Sequence, residues 1–259
     1  MHWLQFGSHL PATRLMNRTE TAALPTTSAL RMGARLAVLA RLAGYPGLEF
    51  EPVVESAIDE VGGDQLAAFR DHMIALNQDE REELYTATFD VTPRCVPYVS
   101  IHLFGEENFK RGEFMAALHS RYELLGFDTG GELPDHLAIL LRYASALAEP
   151  ERRELVEYCL LGPLGKMIES LAGGHPYGFL LQTVDEVFHA HYPGLQPALS
   201  PLEQMRQHGI CPAVADGCNC GPSAAPIRDG PTDLDSPAEA GTWPSFPLHP
   251  TPDPTDLKI

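Results

Sequence analysis

Long apolar runs are missing from this 259-residue sequence: none approaches the ~18 residues that a membrane-spanning helix needs. That excludes a helical membrane protein and predicts a soluble one. Basic residues are scarce too, 18 Lys and Arg against 35 Asp and Glu, for a formal charge of −17. Phosphate backbones are bound by basic stripes, and with none present a nucleic-acid partner is excluded. The same charge would instead attract a basic peptide and speed that encounter at low salt. Cysteines number five, an odd count that gives no disulfide framework. The opening MHWLQFGSHLPATRLMNR lacks a basic start and an apolar core of roughly 7 to 15 residues before a small-residue cleavage site. No signal peptide is expected, hence a cytoplasmic protein. Strand-like alternation and repeats at solenoid periods are also absent.

What is present is helical periodicity. Residues 1–28 mix Trp3, Leu4 and Phe6 with Pro11, Pro25 and several threonines, and read as a poorly ordered lead-in. Ser28 stands ready to cap a helix over Ala29–Ala43, which the breakers Gly44-Tyr45-Pro46-Gly47 stop. Phe50, Val53, Val54, Ala57, Ile58 and Val61 recur at three and four residues, and Gly62-Gly63 closes that segment. Asp64 is expected to cap a helix carrying Leu66, Phe69, Met73 and Leu76. Asp79 with Glu82 forms a capping-box-like start for the next, which runs to Phe89. After a break at Asp90–Pro93, a helix is predicted over 94–104, bent at Pro97 because the ring deletes a donor. Met115, Leu118, Tyr122 and Leu125 mark another stripe, and Leu137, Leu140, Leu141, Ala144 and Leu147 the one after it. Two more helices are predicted over 150–172, interrupted at Gly162-Pro163, and over 177–191. Beyond Tyr192 the composition changes: residues 193–259 hold 13 of the 23 prolines, with 8 acidic residues against 3 basic. Such a segment buries too little apolar surface to offset its ordering entropy. The predicted architecture is a single all-α bundle of about nine helices over 29–192, followed by a disordered acidic, Pro-rich tail over 193–259.

Three groups of residues could carry chemistry. Glu132, Asp135 and His136 could form an acid–base set, since a histidine beside carboxylates is tunable toward neutral pH. The plainer reading makes Asp135 a helix cap and leaves Glu132 and His136 solvated. Tyr85, Phe89, Tyr98 and Phe104 form an aromatic series on neighbouring helices. Such series are mostly core, although Tyr85 and Tyr98 suit a groove, where a phenol keeps its hydroxyl wet while its ring is covered. His208, Cys211, Cys218 and Cys220 put four soft ligands within thirteen residues without the usual two-residue knuckles of zinc sites. Cys95 and Cys159 are expected to be buried thiols. Lys110, Arg111 and Arg121 are expected on a solvated helix face.

The run YTATFDVTPRCVPYVSIHLFGEENFKRG, followed by ELPDHLAILLRYA, resembles the NarJ/TorD type of redox-enzyme maturation chaperone, most closely its nitrate reductase assembly branch. Tyr85, Thr88, Phe89, Asp90, Arg94, Tyr98, Gly105, Arg111, Gly112 and the loop from Glu132 to Leu137 carry the resemblance. Tyr45-Pro46 and Pro176-Tyr177 extend it to roughly residues 29–192. Pro93 and Val96-Pro97 depart from the family pattern. The resemblance implies a non-enzymatic cytoplasmic chaperone that binds the N-terminal leader of the apo catalytic subunit of a molybdenum-cofactor oxidoreductase. It also implies that no cofactor is held permanently, the molybdenum cofactor belonging to the client. The client-peptide site it implies comprises Tyr85, Phe89, Asp90, Arg94, Tyr98, His102, Glu132, Pro134, Asp135 and His136, with Glu132 and Asp135 pairing with basic leader residues. Two alternatives of other classes stand beside it, a small hydrolase using Asp135 and His136 and a metal-binding module using the tail cysteines.

Overall fold

The computed structural model describes residues 27–207. Most of the expected lead-in, and the expected tail beyond 207 with His208, Cys211, Cys218 and Cys220, lie outside the described residues. The chain forms α1 (Thr27–Leu42), α2 (Phe50–Glu60), α3 (Asp64–Ile74), α4 (Gln78–Phe89), α5 (Val99–Phe104), α6 (Lys110–Leu124), α7 (Leu137–Ala146), α8 (Glu151–Leu155), a π-helical turn (Val156–Leu160), α9 (Leu161–Ser170), α10 (Pro176–His191) and α11 (Pro201–Gln207). The all-helical bundle expected from the periodicity is what the chain adopts, with nine helices of seven or more residues and no strand among the described residues.

α7 is the central rod. Leu137 through Leu141 are all buried, and Leu140 and Leu141 are wholly so. Each such side chain contributes about 1.5–3 kcal/mol relative to leaving it in water. α1 lies along α7 and also touches α2 and α10, while α10 packs on α3 and α9. Close approach of α1 to α7 depends on Gly33, where a Cβ would sit 2.9 Å from the Ser145 carbonyl oxygen. The buried Arg152 of α8 ties the two ends of this pair, donating to the carbonyls of Ala144 at 2.9 Å and Ala29 at 3.0 Å.

α4 starts in a capping box made by Asn77 and Glu80, two residues ahead of the expected Asp79 and Glu82 pair. Asparagine at that position satisfies the first orphan donors itself, leaving Asp79 and Glu82 free to face outward. The buried Arg81 anchors α4 by donating to the Met73 carbonyl and to Glu51, each at 2.8 Å, with its guanidinium over the Phe50 ring. The helix expected over 94–104 begins only at Val99. Two prolines within five residues and a positive φ at Thr92 keep residues 90–98 irregular, so Pro97 precedes a helix where a bend was expected. Farther on, the π-helical turn ends three residues before Pro163. The ring of Pro163 removes the donor to Cys159 and crowds that carbonyl, which a widened turn relieves. Cys95 and Cys159 are buried, and burial pushes the Cys159 thiol up to about 12.

The expected boundary at Tyr192 also moves. Residues 193–207 cross the bundle: Leu195 is buried, the Ala198 N–H donates to the Glu157 carbonyl at 3.0 Å, and α11 rests on α5. Lys166 pairs with Glu203 at 3.0 Å, and the Ser200 backbone N–H with that ammonium holds the Glu203 carboxyl down at about 2. Three prolines in this stretch conceal the helix and its apolar anchor from a reading by composition.

Candidate functional site

The starts of α5 and α7 are locked together. Tyr98 and His136 form an isolated antiparallel bridge, flanked by hydrogen bonds from the Val99 N–H to the Asp135 carbonyl at 3.0 Å and from the Leu137 N–H to the Pro97 carbonyl at 2.9 Å. This short ladder fixes the loop Glu132-Leu133-Pro134-Asp135-His136 against the irregular stretch that ends at Tyr98. α4 closes the third side with Tyr85 and Phe89.

Within the loop each residue has a different task. His136, and not Asp135, caps α7, its Nδ1 accepting from the Ala138 N–H at 3.2 Å. The proton of the neutral ring therefore sits on Nε2, which faces the Tyr85 hydroxyl at 3.4 Å. Burial pushes the His136 pKa down, against the upward pull of Glu132 and Asp135. A second proton would have to enter at Nδ1, in front of the Ala138 donor. Asp135 is wholly buried. Its Oδ2 accepts from the Ser100 hydroxyl at 2.5 Å and the Ser100 N–H at 3.3 Å. That hydroxyl in turn accepts from Arg111 Nε at 3.0 Å, and Arg111 also donates to the Glu106 carbonyl. Arg111 is thus a half-buried tie between α5 and α6 where a solvated residue was expected. The Pro134 carbonyl accepts from the buried Tyr122 hydroxyl at 2.8 Å. Of the loop's acidic side chains only Glu132 is open to water.

This arrangement corrects the expected peptide site. Asp135, with no exposed surface, offers nothing to a client; it is a structural pin. The backbone of Pro134 is likewise committed inward. His102 donates from Nε2 to the Val96 carbonyl at 2.9 Å, and Arg94 stands exposed on the irregular stretch; neither lines the recess described next. Phe104 packs on Phe114 in the core, ring centroids 5.6 Å apart. For the acid–base alternative, Asp135 and His136 are turned to separate partners.

Tyr85, Phe89, Asp90, Tyr98, Glu132 and His136 do converge, on a recess of about 210 Å³ completed by Tyr45, Thr86 and Pro97. The His136 ring meets Tyr98 edge-on at 5.6 Å, and Tyr85 packs against Phe89 at 5.1 Å. Burial raises the pKa of Tyr85, with Glu132 adding to it, so the phenol stays a neutral hydrogen-bonding group. Tyr45 and Thr86 also belong to a second, shallower hollow of about 570 Å³ along α4, walled by Asp79, Glu82 and Glu83 and by the apolar Ala87 and Val91. The two hollows form one groove, aromatic at one end and acidic along its length. Tyr45, 57 % exposed, spans them: its ring lies edge-on to Tyr85 at 5.3 Å and its hydroxyl donates to Glu82 at 3.0 Å. Sequence reasoning took Tyr45 as part of a helix stop and of the family resemblance, and did not place it in the groove. It read Asp79 and Glu82 as a helix start and not as a surface; the signal of the acidic face was the three- and four-residue spacing of Asp79, Glu82, Glu83 and Thr86.

Such a groove can cover an apolar side chain and neutralise a cation beside it, which is the pair of demands that a basic amphipathic segment makes. Among the described residues no group of three or more His, Cys, Asp or Glu side chains could hold a metal ion, and no helix is long and apolar enough to cross a membrane. Residues 55–172 match the model of a family described as the nitrate reductase delta subunit. This part of the chain is similar to that family. The nitrate reductase delta family is one of molybdoenzyme assembly chaperones, and the matched stretch contains the groove-lining residues of α4, the Tyr98 segment and the Glu132–His136 loop. No curated protein matches the chain.

Proposed function

We propose that the groove receives the N-terminal leader of the apo catalytic subunit of a molybdenum-cofactor oxidoreductase of the nitrate/DMSO reductase type. Apolar leader residues enter the recess between Tyr45, Tyr85 and Tyr98, and basic ones pair with Glu132 and with the α4 carboxylates. Holding the leader keeps the client unassembled until its cofactor is inserted. The chain acts in the cytoplasm and catalyses no reaction itself; the molybdenum cofactor stays with the client. The observation that carries this reading is the junction of aromatic recess and acidic stripe through Tyr45, on the part of the chain that matches an assembly-chaperone family. Exposed ion pairs of this kind contribute about 0.2–1 kcal/mol each, so the aromatic end supplies most of the affinity and the carboxylates supply choice of partner and on-rate. Co-purification tests it: the chain should retain a tagged apo catalytic subunit and lose it when the leader is deleted. Equal retention of the leaderless subunit would move the interaction elsewhere.

A further inference from the structure

The groove has a candidate occupant closer than any client. Residues 1–18 of this chain carry Arg14 and Arg18 and no carboxylate, in a protein of net charge −17. Their apolar residues Trp3, Phe6 and Leu10 and the two arginines recur at intervals of three, four, four and four residues. The groove presents the complement: Tyr45, Tyr85 and Tyr98 at one end, and Asp79, Glu82 and Glu83 along its length. Tyr45 and Val91, 57 % and 70 % exposed, leave apolar surface there uncovered.

Reach permits the contact. Tyr45 follows the C-terminal end of α1, whose 16 residues span about 24 Å from Thr27. Residues 19–26, eight residues by numbering, extend at most about 26–29 Å. They can therefore return residues 1–18 along α1 to the groove. We infer that residues 3–18 dock in this groove intramolecularly, so that a client leader must displace them. The consequence for clients rests on the groove being the leader site; the docking does not.

Tethering through a connection of eight residues gives an effective concentration on the order of 1 mM. A segment of affinity on the order of 0.1 mM would then be bound about nine-tenths of the time and weaken a competing peptide about tenfold. Such a contact would discriminate between leaders, admitting those that outbind the chain's own segment.

The full chain offers a clean reporter, because Trp3 and Trp243 are its two tryptophans. In the full chain carrying Trp243→Phe, the inference predicts blue-shifted Trp3 emission shielded from acrylamide, independent of protein concentration. Adding Arg14→Glu with Arg18→Glu should return Trp3 to the emission and quenching of a free indole, and so should Thr86→Arg, which places a cation in the groove. An excess of the synthetic peptide of residues 1–18 with Trp3→Phe should likewise release it. A Trp3 that is open to acrylamide from the start overturns the inference. So does shielding that survives Thr86→Arg, or that grows with protein concentration as contact between two copies would. With docking established by these tests, a nitrate reductase leader peptide that fails to release Trp3 contradicts the proposed client site alone.

Discussion

Asp135 separates a structural pin from a peptide contact. Replacing it with alanine removes two hydrogen bonds from Ser100, at 2.5 and 3.3 Å, and strands a buried hydroxyl and N–H. It also deprives the half-buried Arg111 guanidinium of the carboxylate behind Ser100. Hydrogen bonds to a charged group contribute about 1.5–3 kcal/mol each, and breaking a buried charged partnership costs about 3–5 kcal/mol in total. For a chain of this size each kcal/mol lowers Tm by about 2–4 °C, so Asp135→Ala should melt about 6–20 °C below the wild type. Asp135→Asn keeps one oxygen to accept from Ser100 and should lose only about 1–3 kcal/mol. Scanning calorimetry gives both shifts, and titration calorimetry at a temperature where both proteins are folded gives leader affinity. The reasoning requires a lower Tm with unchanged affinity. An unaltered Tm with weakened leader binding in Asp135→Asn would refute it and return Asp135 to the peptide surface.

Other expectations follow from the packing. Gly33→Ala drives a Cβ to within 2.9 Å of the Ser145 carbonyl and should cost about 1–3 kcal/mol by denaturant unfolding, whereas Gly47→Ala, with open space around it, should be tolerated. Burial lowers the pKa values of His136, His102 and His175. Below the ordinary histidine value of about 6.5 the unfolded chain therefore binds more protons, and stability falls as pH drops through that value. The slope of Tm between pH 7 and 5 should shrink in His136→Asn, which still caps α7 but cannot take up the proton; an unchanged slope would remove His136 from the effect. A chain ending at Tyr192 exposes the site of Leu195 and loses the Lys166–Glu203 pair. It should be less stable than one ending at Gln207 by about 2 kcal/mol or more.

The helices were legible because core positions repeat at three and four residues over long stretches: Phe50 to Val61, Leu66 to Leu76, and Leu137 to Leu147. The irregular run from Asp90 to Tyr98 was harder to read. Its conformation is set by a bridge to His136, 38 residues later, and no local pattern announces such a contact. The same holds for Asp135. From sequence a charged residue before a helix reads as a cap or a surface contact, and only the tertiary placement of Ser100 and Arg111 makes it a buried pin. His136 took the capping position because the Pro134 carbonyl is held inward by Tyr122 and the chain turns one residue later than expected. Tyr45 entered the groove through the path of the chain after α1, which the stop signal marked but could not aim.

The central claim is that a client leader binds between the aromatic recess and the α4 carboxylates. Thr86 lies at the junction of both hollows, part-exposed on a helix where arginine is well accommodated. Titration calorimetry of a nitrate reductase leader peptide into the wild type and into Thr86→Arg, with melting curves alongside, tests the claim most directly. The account predicts equal Tm values and an affinity reduced about tenfold or more in the variant, a loss of at least about 1.4 kcal/mol. Undiminished affinity in a folded Thr86→Arg protein would contradict it.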